Sequence, residues 1–160
     1  MRAEVGPELF HQWRRSWRAV PPPLAPVALA ALRADPCYAG LPADTIPPVE
    51  SLAGVRARAV PYWIDVLAPE LRTRRLPLVV AHGNSIRALV AHWDRLPEDE
   101  VMALNIPTGI LLRYDFDRDL RPRLRGGRYL DPAAAAHAAD AVAREGTPAR
   151  VAGGQLPRGR

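Results

Sequence analysis

Several residue types and segments are scarce or missing in this 160-residue chain, and these absences limit its cross-links, its core composition and its relation to membranes. Cys37 is the single cysteine, which excludes a disulfide within the chain. Aromatic residues make up 6% of the sequence, so valine, leucine, isoleucine and alanine must fill the core. No apolar run approaches the roughly 18 residues that a membrane-spanning helix needs, so we expect no membrane partner. Lysine is absent, and all 22 basic side chains are arginines.

The remaining composition is typical of one basic domain. A hydrophobic fraction of 48% suits a single domain with a real core, while 18 prolines and 11 glycines predict long loops. The first residues are charged and lack the apolar stretch of a signal peptide, so we expect a cytoplasmic protein. The net charge is +5 and the pI about 10.3, which fits either a phosphorylated metabolite or nucleic acid as partner. Arginine in particular favours bidentate contacts with phosphate and carboxylate.

Apolar periodicity predicts helices on both sides of a proline-rich connection. Four residues at helical spacing indicate a first helix, which the run "VPPPLAP" stops: Leu9, Phe10, Trp13 and Trp17. Residues 21–50 are rich in proline, with about one helical turn expected near "VALAAL". A second stripe predicts a helix from near Ser51, which Pro69 kinks or ends: Leu52, Val55, Ala59, Trp63, Val66 and Leu67.

The middle of the chain reads as strand, tight turn and helix. The segment "LPLVVA", residues 76–81, is short and apolar on both faces, which is typical of a buried strand in a parallel sheet. A helical stripe follows at once: Ile86, Leu89, Val90 and Trp93. A further strand is predicted in "GILLRYDF", residues 109–116, with alternate residues on one face: Ile110, Leu112, Tyr114 and Phe116. Asp131 and Gly146 are predicted to begin and end a last helix, before a flexible basic tail at 147–160.

The turn in "VVAHGNSIRALV" is a candidate anion site. At the carboxyl end of a parallel strand, the start of the next helix carries partial positive charge. Gly83 lets the backbone approach a ligand, Asn84 can cap the helix or donate to an oxygen, and the ring of His82 can reach an anion. The alternative is a structural histidine held at a strand end, with a glycine for the turn. The four histidines have no paired metal spacing, so we expect no metal.

Six segments, in this order, resemble the 2,3-bisphosphoglycerate-dependent phosphoglycerate mutases of the histidine phosphatase superfamily. They are "WRRSW…PPPL", "DPCYAGLP", "SLAGVRARAVPYW…LAPEL", "AHGNSIRALV", "LNIPTGI" and "GRYLDPAAAA". The resemblance runs from about Val5 to about Gly146. It implies an α/β fold, a three-layer sandwich with a mostly parallel sheet, and interconversion of 3- and 2-phosphoglycerate through a phosphohistidine. It also implies 2,3-bisphosphoglycerate as phosphoryl primer and a homo-oligomer.

The resemblance assigns roles to five residues of this chain. His82 falls on the family's second active-site histidine, which stabilises the transferring phosphoryl group, and Gly83 and Asn84 fall on substrate-binding positions. Arg14 and Arg15 fall on an arginine pair that clamps the phosphate and carboxylate of the substrate. Two adjacent arginines at a helix end can grip a small anion in this way. Without the resemblance, a solvated helix face would be the preferred interpretation of the pair.

The family's nucleophile has no counterpart here. Mutases of this family open with a strand ending in Arg-His-Gly-Glu, whereas His-Gly occurs once in this chain, at His82, and never after arginine. The family's proton-donating glutamate segment is also absent. We therefore interpret residues 1–146 as the C-terminal part of a mutase domain that lacks its first strand and is inactive alone. His11, His92, His137 and Cys37 lack the surroundings of a replacement nucleophile.

Two other functions remain open from the sequence. The chain could be a true short protein that binds phosphorylated anions without catalysis, because binding residues are present and the nucleophile is not. It could also be a basic nucleic-acid-binding module, although no basic stripe interleaved with aromatic residues supports nucleic acid as a partner.

Overall fold

The computed structural model describes residues 5–73 and 75–144, and helices dominate this part of the chain. The predicted helix end at Gly146 and the predicted tail at 147–160 lie outside the described residues. The helices are α1 (Pro7–Arg15), α2 (Pro26–Arg33), α3 (Leu52–Tyr62), α4 (Ala68–Arg72), α5 (Gly83–Trp93), α6 (Glu98–Ala103) and α7 (Pro132–Arg144). Strands β1 (Leu112–Arg113) and β2 (Arg128–Tyr129) pair antiparallel. No helix among the described residues is long and apolar enough to cross a membrane.

Local sequence signals explain where the first helices begin and end. Prolines open α1 and α2, where the missing amide hydrogen costs nothing. Helix α1 ends at Arg15, because Ser16 is extended, so Trp17 of the predicted stripe lies beyond the helix. Helix α2 has eight residues, twice the single turn that "VALAAL" predicts.

Helix α3 begins as the sequence predicts and continues further than expected. The Ser51 hydroxyl accepts a hydrogen bond from the Gly54 amide at 3.1 Å, as an N-cap does. After Pro61, a π-helical turn at Trp63–Leu67 carries the chain into α4. Pro69 therefore lies in the first turn of α4, where a proline is tolerated, and does not end the helical segment.

The core lies between the α3–α4 segment and α5. One cluster of buried side chains consists of Leu52, Ala88, Ala91 and Val101, and the other of Trp63, Leu67, Ala68 and Leu89. The second cluster combines predicted stripe residues of both helices, Trp63 and Leu67 with Leu89, whereas Ala88 and Ala91 of the first cluster lie outside the predicted stripes. Val66 departs from its predicted stripe and is 41% exposed.

Residues 109–116 show the predicted alternation. Four alternate residues are partly buried: Ile110, Leu112, Tyr114 and Phe116. The three residues between them, Leu111, Arg113 and Asp115, are exposed. Phe116 packs on Trp63 with ring centroids 5.0 Å apart. The regular ladder is nevertheless short: Leu112 and Arg113 pair opposite Tyr129 and Arg128, and Phe116 forms an isolated antiparallel bridge with Pro122.

The predicted buried strand at residues 76–81 is the main correction. This segment has no regular secondary structure and pairs with no strand among the described residues, and Leu76, Leu78 and Val80 are 89%, 75% and 89% exposed. Residues 78–81 of this segment line a cavity of about 420 Å³ together with Leu89. A strand needs a hydrogen-bonding neighbour, and the described part of the chain supplies none to this segment. The mostly parallel sheet is therefore not formed by the described residues, whose sheet is the antiparallel β1–β2 pair.

Candidate anion-binding site

His82 caps helix α5. Its backbone is extended, with φ −61° and ψ 146°, and its Nδ1 accepts a hydrogen bond from the Asn84 amide at 3.2 Å. The His82 carbonyl accepts from the amides of Ser85 and Ile86 at 2.9 and 3.1 Å. Since Nδ1 is an acceptor, the proton of a neutral ring resides on Nε2. The exposed ring can then donate that hydrogen to an anion.

Gly83 and Asn84 form the first turn of α5, as the sequence predicts. A Cβ atom built at Gly83 would meet no other atom within 4 Å, so open space lies beside this backbone. The cap of the helix is His82, and the exposed Asn84 side chain has another role. Its Oδ1 accepts a hydrogen bond from Arg87 Nη1 at 3.2 Å.

The two residues of the predicted arginine pair differ in their surroundings. Arg15 is only 8% exposed; its Nη1 donates to Asn105 Oδ1 and its Nη2 to the Val142 carbonyl, the latter at 2.9 Å. Arg14 is exposed, and its guanidinium lies 5.9 Å from the centroid of the Phe10 ring. A solvated helix face is thus wrong for Arg15.

Arg87 joins the arginine pair to the start of α5, and sequence reasoning missed it. Its guanidinium donates to the carbonyls of Arg14 and Arg15 at 3.3 and 3.4 Å, as well as to Asn84. The end of α1 and the first turn of α5 are therefore neighbours through one shared side chain. The available signal was its spacing, because Arg87 follows Asn84 by three residues and lies above it on a helix.

The remaining candidates are the other three histidines and Cys37. His11, His137 and Cys37 are exposed, and the Cys37 amide donates to Asp35 Oδ1 at 2.8 Å. His92 is partly buried, and burial first, then Arg56 and Arg95, lowers its pKa. Among the described residues, no group of histidine, cysteine and carboxylate side chains has the arrangement of a metal site. The cavity beside residues 76–81 is lined by none of the five predicted site residues.

Comparison with known proteins decides the family. The model of the histidine phosphatase superfamily (branch 1) matches residues 25–125. The chain belongs to this superfamily. The family match confirms the α/β class at the level of the superfamily fold, and it includes His82, Gly83, Asn84 and Arg87, while the arginine pair lies before it.

The curated relatives carry a more specific name. The chain is 49% identical over 145 residues to a 2,3-bisphosphoglycerate-dependent phosphoglycerate mutase of Thermobifida fusca, covering 91% of this chain and 59% of the relative. It is 50% identical to the protein of the same name from Mycobacterium tuberculosis strain H37Rv, with 91% and 57% covered. For Mycobacterium leprae strain TN the identity is 52% over 135 residues, with 84% and 54% covered. The chain thus spans a little over half the length of these superfamily members.

Proposed function

We propose that this chain supplies the phosphate-binding part of a 2,3-bisphosphoglycerate-dependent phosphoglycerate mutase. The observation that carries the proposal is the convergence of four groups around the start of α5. They are the exposed ring of His82, the open backbone at Gly83, Asn84, and the arginine pair held beside them through Arg87. The names of the relatives, at about half identity, supply the substrate, phosphoglycerate.

In this proposal, each group meets one part of the substrate. Nε2 of His82 donates its hydrogen to a phosphoryl oxygen, and the positive end of the α5 dipole adds to that attraction. Gly83 leaves room for the phosphoryl group to approach the backbone. Arg14, whose guanidinium is exposed, binds the phosphate or carboxylate in a charge-assisted pair. Arg15, which donates a hydrogen bond to Asn105, adds a second positive charge at the carboxyl end of α1.

The site residues fit the 2,3-bisphosphoglycerate primer that the family implies. A bisphosphate is a strongly anionic ligand, and the chain presents arginines, a helix start and an unobstructed glycine to it. When bound, the primer supplies the phosphoryl group that loads the nucleophile. That nucleophile is absent from this sequence, so we expect no turnover by the chain alone.

We propose further that residues 76–81 belong to the mostly parallel sheet of a three-layer sandwich. The neighbouring strand would come from the part of the mutase that this chain does not span, about two fifths of each relative. The exposure of Leu76, Leu78 and Val80 supports this, since burying each such side chain would contribute about 1.5–3 kcal/mol. The amide and carbonyl groups of a segment that pairs with no described strand are also available for pairing.

A phosphate-binding protein without catalysis is the second candidate, and the missing Arg-His-Gly sequence favours it. One experiment separates the two candidates. The purified chain, free of host mutase, is titrated with 3-phosphoglycerate and assayed for its interconversion with 2,3-bisphosphoglycerate present. The assay is then repeated with the unmatched part of the T. fusca mutase added as a separate polypeptide.

The proposal expects weak binding by the chain alone and turnover only with the added polypeptide. Binding without turnover in both assays would favour the non-catalytic protein. No binding of 3-phosphoglycerate, or binding unaffected by Arg14→Ala, would contradict both. DNA binding with a steep salt dependence and no competition by phosphoglycerate would favour a nucleic-acid-binding module instead.

A further inference from the structure

The Arg87 guanidinium is buried among uncharged acceptors. The residue is 5% exposed, and its hydrogen bonds run to three backbone carbonyls and one amide oxygen. The shortest joins Nη2 to the Val101 carbonyl at 2.7 Å, while Nε has no hydrogen-bond partner in the part of the chain that the structure describes. Burial, then the charge of Arg15, lowers the pKa of Arg87 to about 10, so the side chain is still a cation at neutral pH.

The three backbone carbonyls that accept from Arg87 lie at the ends of two other helices. Arg14 and Arg15 are the last residues of α1, and Val101 belongs to the last turn of α6. The last carbonyls of a helix have no donor within the helix, and they form the negative end of its dipole. A cation between the carboxyl ends of α1 and α6 is stabilised by both dipoles. This explains how the arginine stays charged while buried without a carboxylate among these acceptors.

We propose that Arg87 is a positioning residue, which fixes the arginine pair relative to His82 and Asn84 and thereby sets the anion affinity of the site. The inference rests on the proposed function. Arg14 and Asn84 are 70 residues apart in sequence, and a single nitrogen, Arg87 Nη1, donates to both. Movement of α1 away from α5 would break that shared contact.

Geometry makes this role specific to arginine. The planar fork of a guanidinium directs its N–H groups to fixed positions, whereas a lysine ammonium carries three donors on one atom. Lysine at position 87 would keep the charge and reach some acceptors, but it could not span both helix ends and Asn84 at once. Methionine would keep much of the apolar stem and lose every donor.

The test is a double-mutant cycle on inorganic phosphate affinity, measured by calorimetric titration of the full chain. The variants are Arg14→Ala, Arg87→Met and the double variant, with Arg87→Lys as the conservative substitution. In the parent chain, Arg14→Ala should weaken phosphate binding about tenfold, the loss of one charge-assisted hydrogen bond. In the Arg87→Met background the same change should weaken it less than about twofold, because Arg14 is no longer held at the site.

Arg33→Met is the matched control. Arg33 also donates to a distant backbone carbonyl, that of Ile46, at 2.8 and 3.3 Å, but it lies away from the site. Its effects and those of Arg14→Ala should be independent. Arg87→Lys should retain part of the phosphate affinity and of the coupling to Arg14.

The outcomes separate this inference from the proposed function. Failure of the parent chain to bind phosphate or phosphoglycerate would overturn the proposed function and the inference together. Binding that Arg14→Ala weakens equally in the parent and Arg87→Met chains would overturn the inference alone. If Arg87→Met loses its helical circular dichroism, the cycle is carried out with Arg87→Lys, where additive effects again count against a positioning role.

Discussion

The buried guanidinium of Arg15 donates to the side chain of Asn105, which lies 90 residues further along the chain. Arg15 is the last residue of α1, and Asn105 follows α6 in the segment "LNIPTG". The contact therefore links the end of α1 to a loop that follows both α5 and α6 in the sequence. The two arginines therefore differ, because Arg15 is buried and donates to Asn105, while Arg14 is exposed.

Asn105→Ala should destabilise the chain and weaken phosphate binding together. The substitution removes the hydrogen bond between Asn105 Oδ1 and the buried Arg15, which costs about 1–3 kcal/mol in the free energy of unfolding. Urea unfolding followed by circular dichroism measures that loss. Thr108→Ala, an exposed side chain in the same loop, is the control and should change stability by no more than about 0.5 kcal/mol. Equal effects of the two substitutions would show that Asn105 does not anchor Arg15.

Gly83→Ala should separate binding from stability. The added methyl group meets no atom within 4 Å, and alanine is the better helix former by up to about 1 kcal/mol, so the fold should be unchanged or slightly more stable. The methyl group would fill the space where we propose that the phosphoryl group approaches, so phosphate affinity should fall about tenfold, a loss near 1.4 kcal/mol.

Gly54→Ala is the matched control for this glycine. It lies inside α3, where a Cβ would meet Glu50 Cγ at 3.0 Å, and it should leave phosphate affinity unchanged. Melting curves and phosphate titrations of both variants make the comparison. Unaltered affinity in Gly83→Ala would mean that the anion binds elsewhere.

Local signals in the sequence predicted what local physics determines. The start of α5 at Gly83, the helix that begins near Ser51 and most of the apolar stripes depend on residues within a turn or two of each other, and these are found, although Trp17 lies beyond α1 and Val66 is exposed. The strand expected at 76–81 depends on a neighbouring strand, and no described residue supplies one. Asn105 and Arg87 act on residues more than 70 positions away, which no periodicity encodes.

His92 should make the stability of the chain depend on pH. Burial and the charges of Arg56 and Arg95 lower its pKa below the usual 6.5, so the folded chain favours the neutral ring. The unfolded chain then binds the proton more readily, and this contribution to stability is full above pH 6.5 and is lost as the pH falls through the lowered pKa.

Melting temperatures between pH 5 and 8, a range chosen because an ordinary histidine titrates at about 6.5, measure this dependence. His92→Gln should flatten the acid side of the profile. His137→Gln replaces an exposed histidine on α7 and should leave the profile as it is. A profile that keeps its acid slope in His92→Gln would assign that slope to other groups.

Val80→Arg should have opposite effects on solubility and on complementation. Val80 is 89% exposed on the unpaired segment 76–81, and a charge on such an edge discourages association between chains, so the variant chain alone should be more soluble. If the unmatched part of the mutase pairs with this segment, the same charge would be buried in the assembled sheet at a cost of several kcal/mol. Turnover with the added T. fusca polypeptide should then fall more than tenfold. Val27→Arg is the matched control, since Val27 is 83% exposed on α2, and it should leave complementation intact. Equal turnover from the two variants would show that the added polypeptide does not pair with segment 76–81. Dimers of the parent chain that form with rising concentration, and that Val80→Arg dissociates, would instead show that a second copy of this chain pairs with the segment.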